Sequence, residues 1–279
     1  MDGKIVLVTG STGGIGLAAA TALARLDAAV VINGRDPATA NAVAARIRAA
    51  TGNHKVSALA ADLSSRAGVH RLAREFTAIH PRLDVLVNNV GAIHDTRRVT
   101  ADGYEYTFAL NHLAPFLLTG ILLDPLRRVD GRIITVTSLL HAVGRIDFAD
   151  LHRERRYSGL AAYCQSKLAN VLFTLELARR LSGVTANAVH PGIARTHLLR
   201  EDGPRTLRMI ESAIRPLLST PDRAGAGIVR LATAPDLHGK TGGYYGPYPR
   251  RPSRTAHDPT LASRLWQLSE ELTDFHYPT

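Results

Sequence analysis

Short apolar runs rich in β-branched residues return along the chain at intervals filled by helical patterns, and this alternation limits the possible folds more than any other feature. Ile5 to Val8, Ala29 to Ile32, Lys55 to Leu59, Leu83 to Val87, Gly131 to Thr137 and Val184 to Val189 read as strands. Most are apolar almost throughout, the pattern of strands covered on both faces. Between them lie helical stretches at Leu17 to Leu26, Pro37 to Ala50, Ser65 to His80 and Asp102 to Leu123, and another around Ala161 to Asn170. Strands alternating with helices pair in parallel through crossovers, so the expected class is α/β, a doubly wound parallel sheet with helices on both faces. Thr241 to Gly246 reads as a seventh, edge strand and Pro259 to Leu272 as a last amphipathic helix.

The 279 residues contain no linker, repeat or low-complexity stretch, which predicts one domain over residues 1–279. The formal charge of +10 comes mostly from arginines scattered in short pairs such as Arg97-Arg98 and Arg127-Arg128. Scatter argues against a nucleic-acid stripe, while the basic balance would attract anionic ligands, including a phosphorylated cofactor. Cys164 is the only cysteine, which excludes an intrachain disulfide and a cysteine zinc site, and no histidines show paired ligand spacing, so no metal is expected. A small buried side chain is the expected role of Cys164. The chain enters a strand at Lys4 and holds no apolar run near the ~20 residues that span a bilayer, so a cytoplasmic location without integral membrane contact is expected.

Chemistry-bearing residues fall where the strands end. After the first strand comes Thr9-Gly10-Ser11-Thr12-Gly13-Gly14-Ile15-Gly16, then a helix. Gly10, Gly14 and Gly16 permit a sharp turn and close backbone approach, and the free amides of the following helix favour an anion such as a pyrophosphate. The second strand ends in Asn33-Gly34-Arg35-Asp36, where a dinucleotide fold reads the adenosine ribose. Arg35 suits a 2′-phosphate, so NADP(H) is preferred over NAD(H); Asp36 either turns toward the ribose or caps the helix at Pro37. Asp62, beside Leu63, either meets the adenine edge or caps a helix. Asn88-Asn89-Val90-Gly91, Ser138 and His190-Pro191-Gly192 follow later strands, at the edge where open parallel sheets bind ligands.

Tyr163 and Lys167 lie one helical turn apart in an otherwise apolar stretch. A phenol, with a pKa near ~10, works as an acid or base at neutral pH only if a neighbouring cation stabilises its phenolate, and Lys167 can supply that charge. Asn111 sits inside a predicted helix that Pro115 bends or re-enters. Each feature alone also has a structural explanation: a polar helical pair, a loop, a strand-end hydroxyl.

Together, in order and interval, the glycine loop, Asn88-Asn89-Val90-Gly91, Asn111, Ser138, Tyr163-x-x-x-Lys167 and Pro191-Gly192 resemble the short-chain dehydrogenase/reductase family over essentially the whole chain. Ser138 to Phe148, Tyr163 to Asn170 and Arg264 to Ser269 resemble its retinol dehydrogenase-like branch. The resemblance implies a Rossmann-like fold, residues 1–135 mainly binding dinucleotide and 136–279 mainly catalytic and substrate-binding, with a lid at about 193–218. It implies catalytic Ser138, Tyr163, Lys167 and Asn111, the last holding a water that links Lys167 to solvent. Cofactor contacts are implied at Gly10, Ser11, Thr12, Gly14, Ile15, Gly16, Arg35, Asp62, Leu63, Asn89, Gly91, Tyr163, Lys167, Pro191, Gly192 and Thr196. His141 and Tyr244 are candidate substrate contacts. Val90 departs from the family's usual Ala and narrows the nicotinamide side unless the backbone shifts. The expected activity is NADP(H)-dependent hydride transfer between nicotinamide and a carbonyl or alcohol of a fairly apolar small molecule. The alternatives are a non-catalytic NADP(H) sensor and a carbon-carbon double-bond reductase. The family also implies a homodimer or homotetramer through the helices around Asn111 and Tyr163.

Overall fold

The computed structural model describes residues 1–192, 220–247 and 251–278. Seven parallel strands form one sheet in the order β3-β2-β1-β4-β5-β6-β7. They are β1 (Ile5–Val8), β2 (Ala29–Gly34), β3 (Val56–Ala60), β4 (Val85–Asn88), β5 (Arg132–Val136), β6 (Thr185–Val189) and β7 (Tyr244–Tyr245). Val6 pairs with Val30 on one side and Val85 on the other, so the chain reverses its winding between β1 and β4. That reversal opens a crevice at the carboxyl edge.

Alternation along β1 divides the core. Val6 and Val8 face α1 (Gly14–Arg25) and α2 (Pro37–Thr51), meeting Leu23, Val43 and Ile47. Leu7 faces the opposite layer, with Leu72 and Phe76 of α3 (Arg66–Ile79) and Phe116 and Phe173 of two later helices. The helices start where the sequence supplies caps: Asp36 accepts from the Thr39 amide (2.7 Å) ahead of Pro37, and Ser65 accepts from Gly68 (3.2 Å). Asp36 therefore caps a helix. Asp62 instead takes the Ser64 amide, at 3.0 Å, and leaves the α3 cap to Ser65.

The predicted helix from Asp102 begins only at Tyr106. Asp102 accepts the Arg66 amide (2.8 Å), the chain turns through Gly103 at φ +86, and Glu105 caps Thr107 and Phe108. From there α4 runs through Tyr106–Phe108, a π-helical segment Ala109–Leu113, and Ala114–Ile121. The change of pitch precedes Pro115, where the sequence suggested a bend. A short α5 (Leu123–Arg127) leads to β5, and α6 (Gly159–Arg180) carries Tyr163 and Lys167. Two helices follow, α7 (Pro221–Thr233) and α8 (Pro259–Thr273), the latter packed across α6 and α4 on the side away from the sheet. No helix among the described residues is long and apolar enough to cross a membrane.

Candidate active site

The glycine loop is stitched into the crevice by buried polar side chains. Gly10 (φ +59) and Gly14 (φ +56) adopt left-handed backbone, and a Cβ on Gly10 would lie 2.8 Å from the Val90 Cα. At Gly16 a side chain would overlap the Asn89 amide. That amide donates to the carbonyls of Thr9 (2.8 Å) and Gly10 (3.0 Å), while the Thr9 hydroxyl accepts from the Asn89 and Val90 amides. From the other side, the Asn33 amide donates to the Leu59 and Ala61 carbonyls (3.2 and 3.3 Å). Ser11 donates to Val8 (2.6 Å) and accepts from the Asn33 amide (3.0 Å), so its hydroxyl serves the loop and turns inward. Sequence reasoning missed Thr9 and Asn33. Their signal was polarity at the ends of otherwise apolar strands.

Gly13 gives α1 no side-chain cap, leaving the first-turn amides for another acceptor. The cradle therefore suits a pyrophosphate. At the adenosine end, Thr12 packs over Gly34 so closely that a side chain there would overlap it. Arg35 is exposed, forms no ion pair among the described residues, and donates to the Tyr106 hydroxyl at 3.3 Å. Leu63 is buried nearby in the core while Asp62 remains exposed. Val90 packs part of its side chain against the cluster around Leu7 and Phe116, toward the core.

The Tyr163 phenol is buried beside the Ser138 side chain. Ser138 Oγ accepts the Leu140 amide at 3.2 Å, so the hydroxyl next to the phenol is fixed by capping a short helical turn. Lys167 Nζ donates to the Val136 carbonyl (3.1 Å) and lies 5.6 Å from the Tyr163 ring centroid. The Thr137 hydroxyl fixes the helix by donating to the Lys167 carbonyl at 3.0 Å. Burial raises the Tyr163 pKa above its ordinary value, opposed by the Ser138 hydrogen bond, and lowers Lys167 to about 8. Burial, rather than the lysine charge expected from the sequence, sets the direction for the phenol.

Asn111 lies in the π segment. Its Oδ1 accepts the Ala92 amide (2.8 Å), and its Nδ2 donates to the Ala92 carbonyl and to Ser166 Oγ, both at 3.0 Å. Ser166 in turn donates to the Tyr163 carbonyl at 2.8 Å. A Cβ on Gly91 would sit 3.4 Å from both Asn111 Oδ1 and Lys167 Nζ, so the three predicted positions converge. Pro115, four residues on, has no N–H to offer the Asn111 carbonyl as an ordinary helical turn would.

His141 stands behind this wall. Its Nδ1 lies 2.7 Å from the Ser138 carbonyl and 3.3 Å from the Tyr244 hydroxyl, and Nε2 accepts the Ser253 amide at 3.1 Å. At 2 % exposure it braces the Ser138 loop rather than facing a substrate. Half-buried Tyr244 stacks on His190 at 5.3 Å. Gly192 (φ +80) follows Pro191 at the end of β6. Cys164 is buried, as expected. Thr196 and the proposed lid lie outside the described residues.

This fold and constellation define a nicotinamide-dependent oxidoreductase architecture. The short chain dehydrogenase profile matches residues 4–206, and the chain belongs to that family. Within it the chain is retinol dehydrogenase-like: it is 41 % identical to human retinol dehydrogenase 13 over 288 aligned positions, covering 100 % of this chain and 87 % of that protein. Among solved structures it resembles an uncharacterised protein from Mycobacterium paratuberculosis, with TM-score 0.82 and 32 % identity over 100 % of this chain and 96 % of the other. It also resembles the Pseudomonas aeruginosa RhlG/NADP active-site complex, with TM-score 0.71 and 28 % identity, covering 88 % and 95 % of the two chains.

Proposed function

We propose that this protein is an NADP(H)-dependent oxidoreductase that interconverts a carbonyl and an alcohol on a fairly apolar small molecule. The observation that carries the reading is the buried Tyr163 phenol, beside Ser138 and one helical turn from Lys167. A nicotinamide bound at this edge would supply the hydride in reduction and accept it in oxidation. The chain's own work is proton handling and positioning. In reduction Tyr163 donates its proton to the carbonyl oxygen, and Ser138 donates a hydrogen bond to that oxygen as negative charge develops. Lys167 stabilises the resulting phenolate and holds the nicotinamide ribose. The Asn111 main-chain carbonyl, denied an N–H by Pro115, holds the water through which Lys167 is reprotonated; the Asn111 side chain fixes Ala92 and Ser166.

The residues along the crevice would hold the cofactor. Gly10 to Gly16 would take the pyrophosphate, where Ser11 acts through loop geometry, with Thr12 and Ile15 in the cradle. Asp62 and Leu63 would serve the adenine, and Asn89, Gly91, Pro191 and Gly192 the nicotinamide half; Thr196, assigned to that half from the sequence, lies outside the described residues. NADP(H) is favoured by the charge of Arg35, by the capping use of Asp36, and by the NADP in the RhlG complex. An apolar substrate is favoured by the likeness to a retinol dehydrogenase and by exposed Leu140 and Val143 on the turn after Ser138.

Cofactor oxidation by the purified protein, NADPH against NADH, over apolar ketones, aldehydes and quinones tests the proposal. Turnover favouring NADPH and lost in Tyr163→Phe is the expected result. Tight NADPH binding with no turnover of any carbonyl, and Tyr163→Phe functioning normally in cells, would instead make the protein a sensor.

A further inference from the structure

The outer faces of α4 and α6 carry more apolar surface than packing against the sheet requires. Every residue of α6 from Ala162 to Leu177 is buried, so the helix is enclosed on the side turned away from the sheet as well as on the side facing it. A helix of that kind needs a second cover. Here the cover is the chain's own carboxyl-terminal segment. Trp266 of α8 lies against Phe116 and Phe173, with centroids 5.1 and 6.0 Å away, and the Arg180 guanidinium sits 4.4 Å over the indole. Leu265 and Ala262 join Val171, Leu172 and Leu175 of α6 in one buried cluster.

The fit is specific as well as apolar. His112, beside Asn111, meets Ser269 Oγ through Nε2 at 2.9 Å, and the Tyr104 hydroxyl donates to the Leu272 carbonyl at 2.8 Å. Beyond α8 the chain folds back, and the Tyr277 hydroxyl donates to the Phe116 carbonyl at 2.7 Å. Phe275 occupies the place a side chain on residue 120 would need, which accounts for glycine at that position near the end of an apolar helix.

We propose that residues 259–277 take the place of a second copy of this chain on the face formed by α4 and α6, so that Asn111 and Tyr163 are braced within one molecule. Uncovered, Phe116, Leu172, Phe173 and Leu175 would make the kind of contiguous apolar patch that joins subunits. A segment of the same chain covers it without the translational and rotational cost of association, and therefore excludes a second copy at ordinary concentrations. This arrangement is the alternative to the dimer or tetramer expected through the helices around Asn111 and Tyr163.

Light scattering of the full chain over a wide range of concentrations, with amide hydrogen exchange at both extremes, is the test. The expected result is the mass of one chain throughout, with exchange in residues 259–273 independent of concentration. Trp266→Asp places a carboxylate among Phe116, Phe173 and Tyr277. It should speed exchange in 259–273 by about tenfold or more and at least double the mass through the uncovered face. The proposal is overturned if the wild-type chain associates on concentration while residues 259–273 exchange faster, a result that needs no variant. It is equally overturned if Trp266→Asp releases the segment and the protein keeps the mass of one chain.

Discussion

His112 makes stability fall in mild acid by an amount that follows from its surroundings. Its ring is wholly buried among Phe108, Phe116 and Phe173, with Asn170 Oδ1 3.4 Å from Nδ1 and Ser269 Oγ 2.9 Å from Nε2. Burial lowers its pKa from 6.5 to about 4, partly offset by Asn170. The folded value lies below the unfolded one, so as pH drops through 6.5 the unfolded chain takes up a proton that the folded chain refuses. The stability is complete above pH 6.5, declines between there and about 4, and levels off below. A gap of about two and a half pH units is worth roughly 3 kcal/mol in full, most of it lost by about pH 4.5. His80, His141 and His152 are also lowered by burial and act in the same direction, so wild type alone does not isolate the effect. His112→Gln does. The lost ring packing shifts the variant's stability at every pH, but only the missing titration changes its slope. Urea unfolding at pH 7.5 and about pH 4.5 should therefore show the wild type losing roughly 2–3 kcal/mol more than His112→Gln. Parallel losses in the two proteins would refute the reasoning.

Other perturbations test the site itself. Tyr163→Phe should lower kcat by about a thousandfold or more while NADPH still binds, because the phenol's proton is needed only when the carbonyl is reduced; fluorescence titration beside a rate assay separates the two. Arg35→Ala should raise the KM for NADPH about tenfold or more and leave NADH nearly unchanged; equal losses for both cofactors would remove Arg35 from the 2′-phosphate. Since Lys167 titrates at about 8, carbonyl reduction should decline as pH rises through that value and the ammonium is lost, a limb readable in the pH profile of kcat/KM. Gly16→Ala should cost about 1–3 kcal/mol in thermal unfolding by pushing the Asn89 amide off the Thr9 and Gly10 carbonyls, with weaker cofactor binding alongside.

What could be read in the sequence was what local chemistry decides. β1 was placed at Ile5 to Val8 as found, and the other strands to within one or two residues at most ends, because buried parallel strands are apolar runs stopped by polar residues. Ser138 and Gly91 converge because they follow strand ends that share one edge of a parallel sheet, and the helices packed on that sheet bring Tyr163, Lys167 and Asn111 to them. The misses have equally local causes. The helix drawn from Asp102 ignored Gly103, whose left-handed turn delays it until Glu105 can cap it. The role of His141 was invisible because its partner Ser253 is far along the chain. The periodicity of α8 marked an apolar face but not its partner, which only the tertiary fold supplies.

The π segment in α4 has a consequence for how this gene can vary. Its i→i+5 bonds admit one more residue per turn than a regular helix does, as in the Ala114 amide reaching the Ala109 carbonyl. Deleting a single residue between Ala109 and Leu113 would restore ordinary pitch and cost little backbone bonding. Because the extra residue is confined to that one turn, the helix on either side would keep its phase. Substitutions in this turn can be judged one side chain at a time, whereas a one-codon deletion would leave the aromatic layer beyond it in place and change which side chain of the turn meets Ala92 and Ser166, the partners Asn111 now holds.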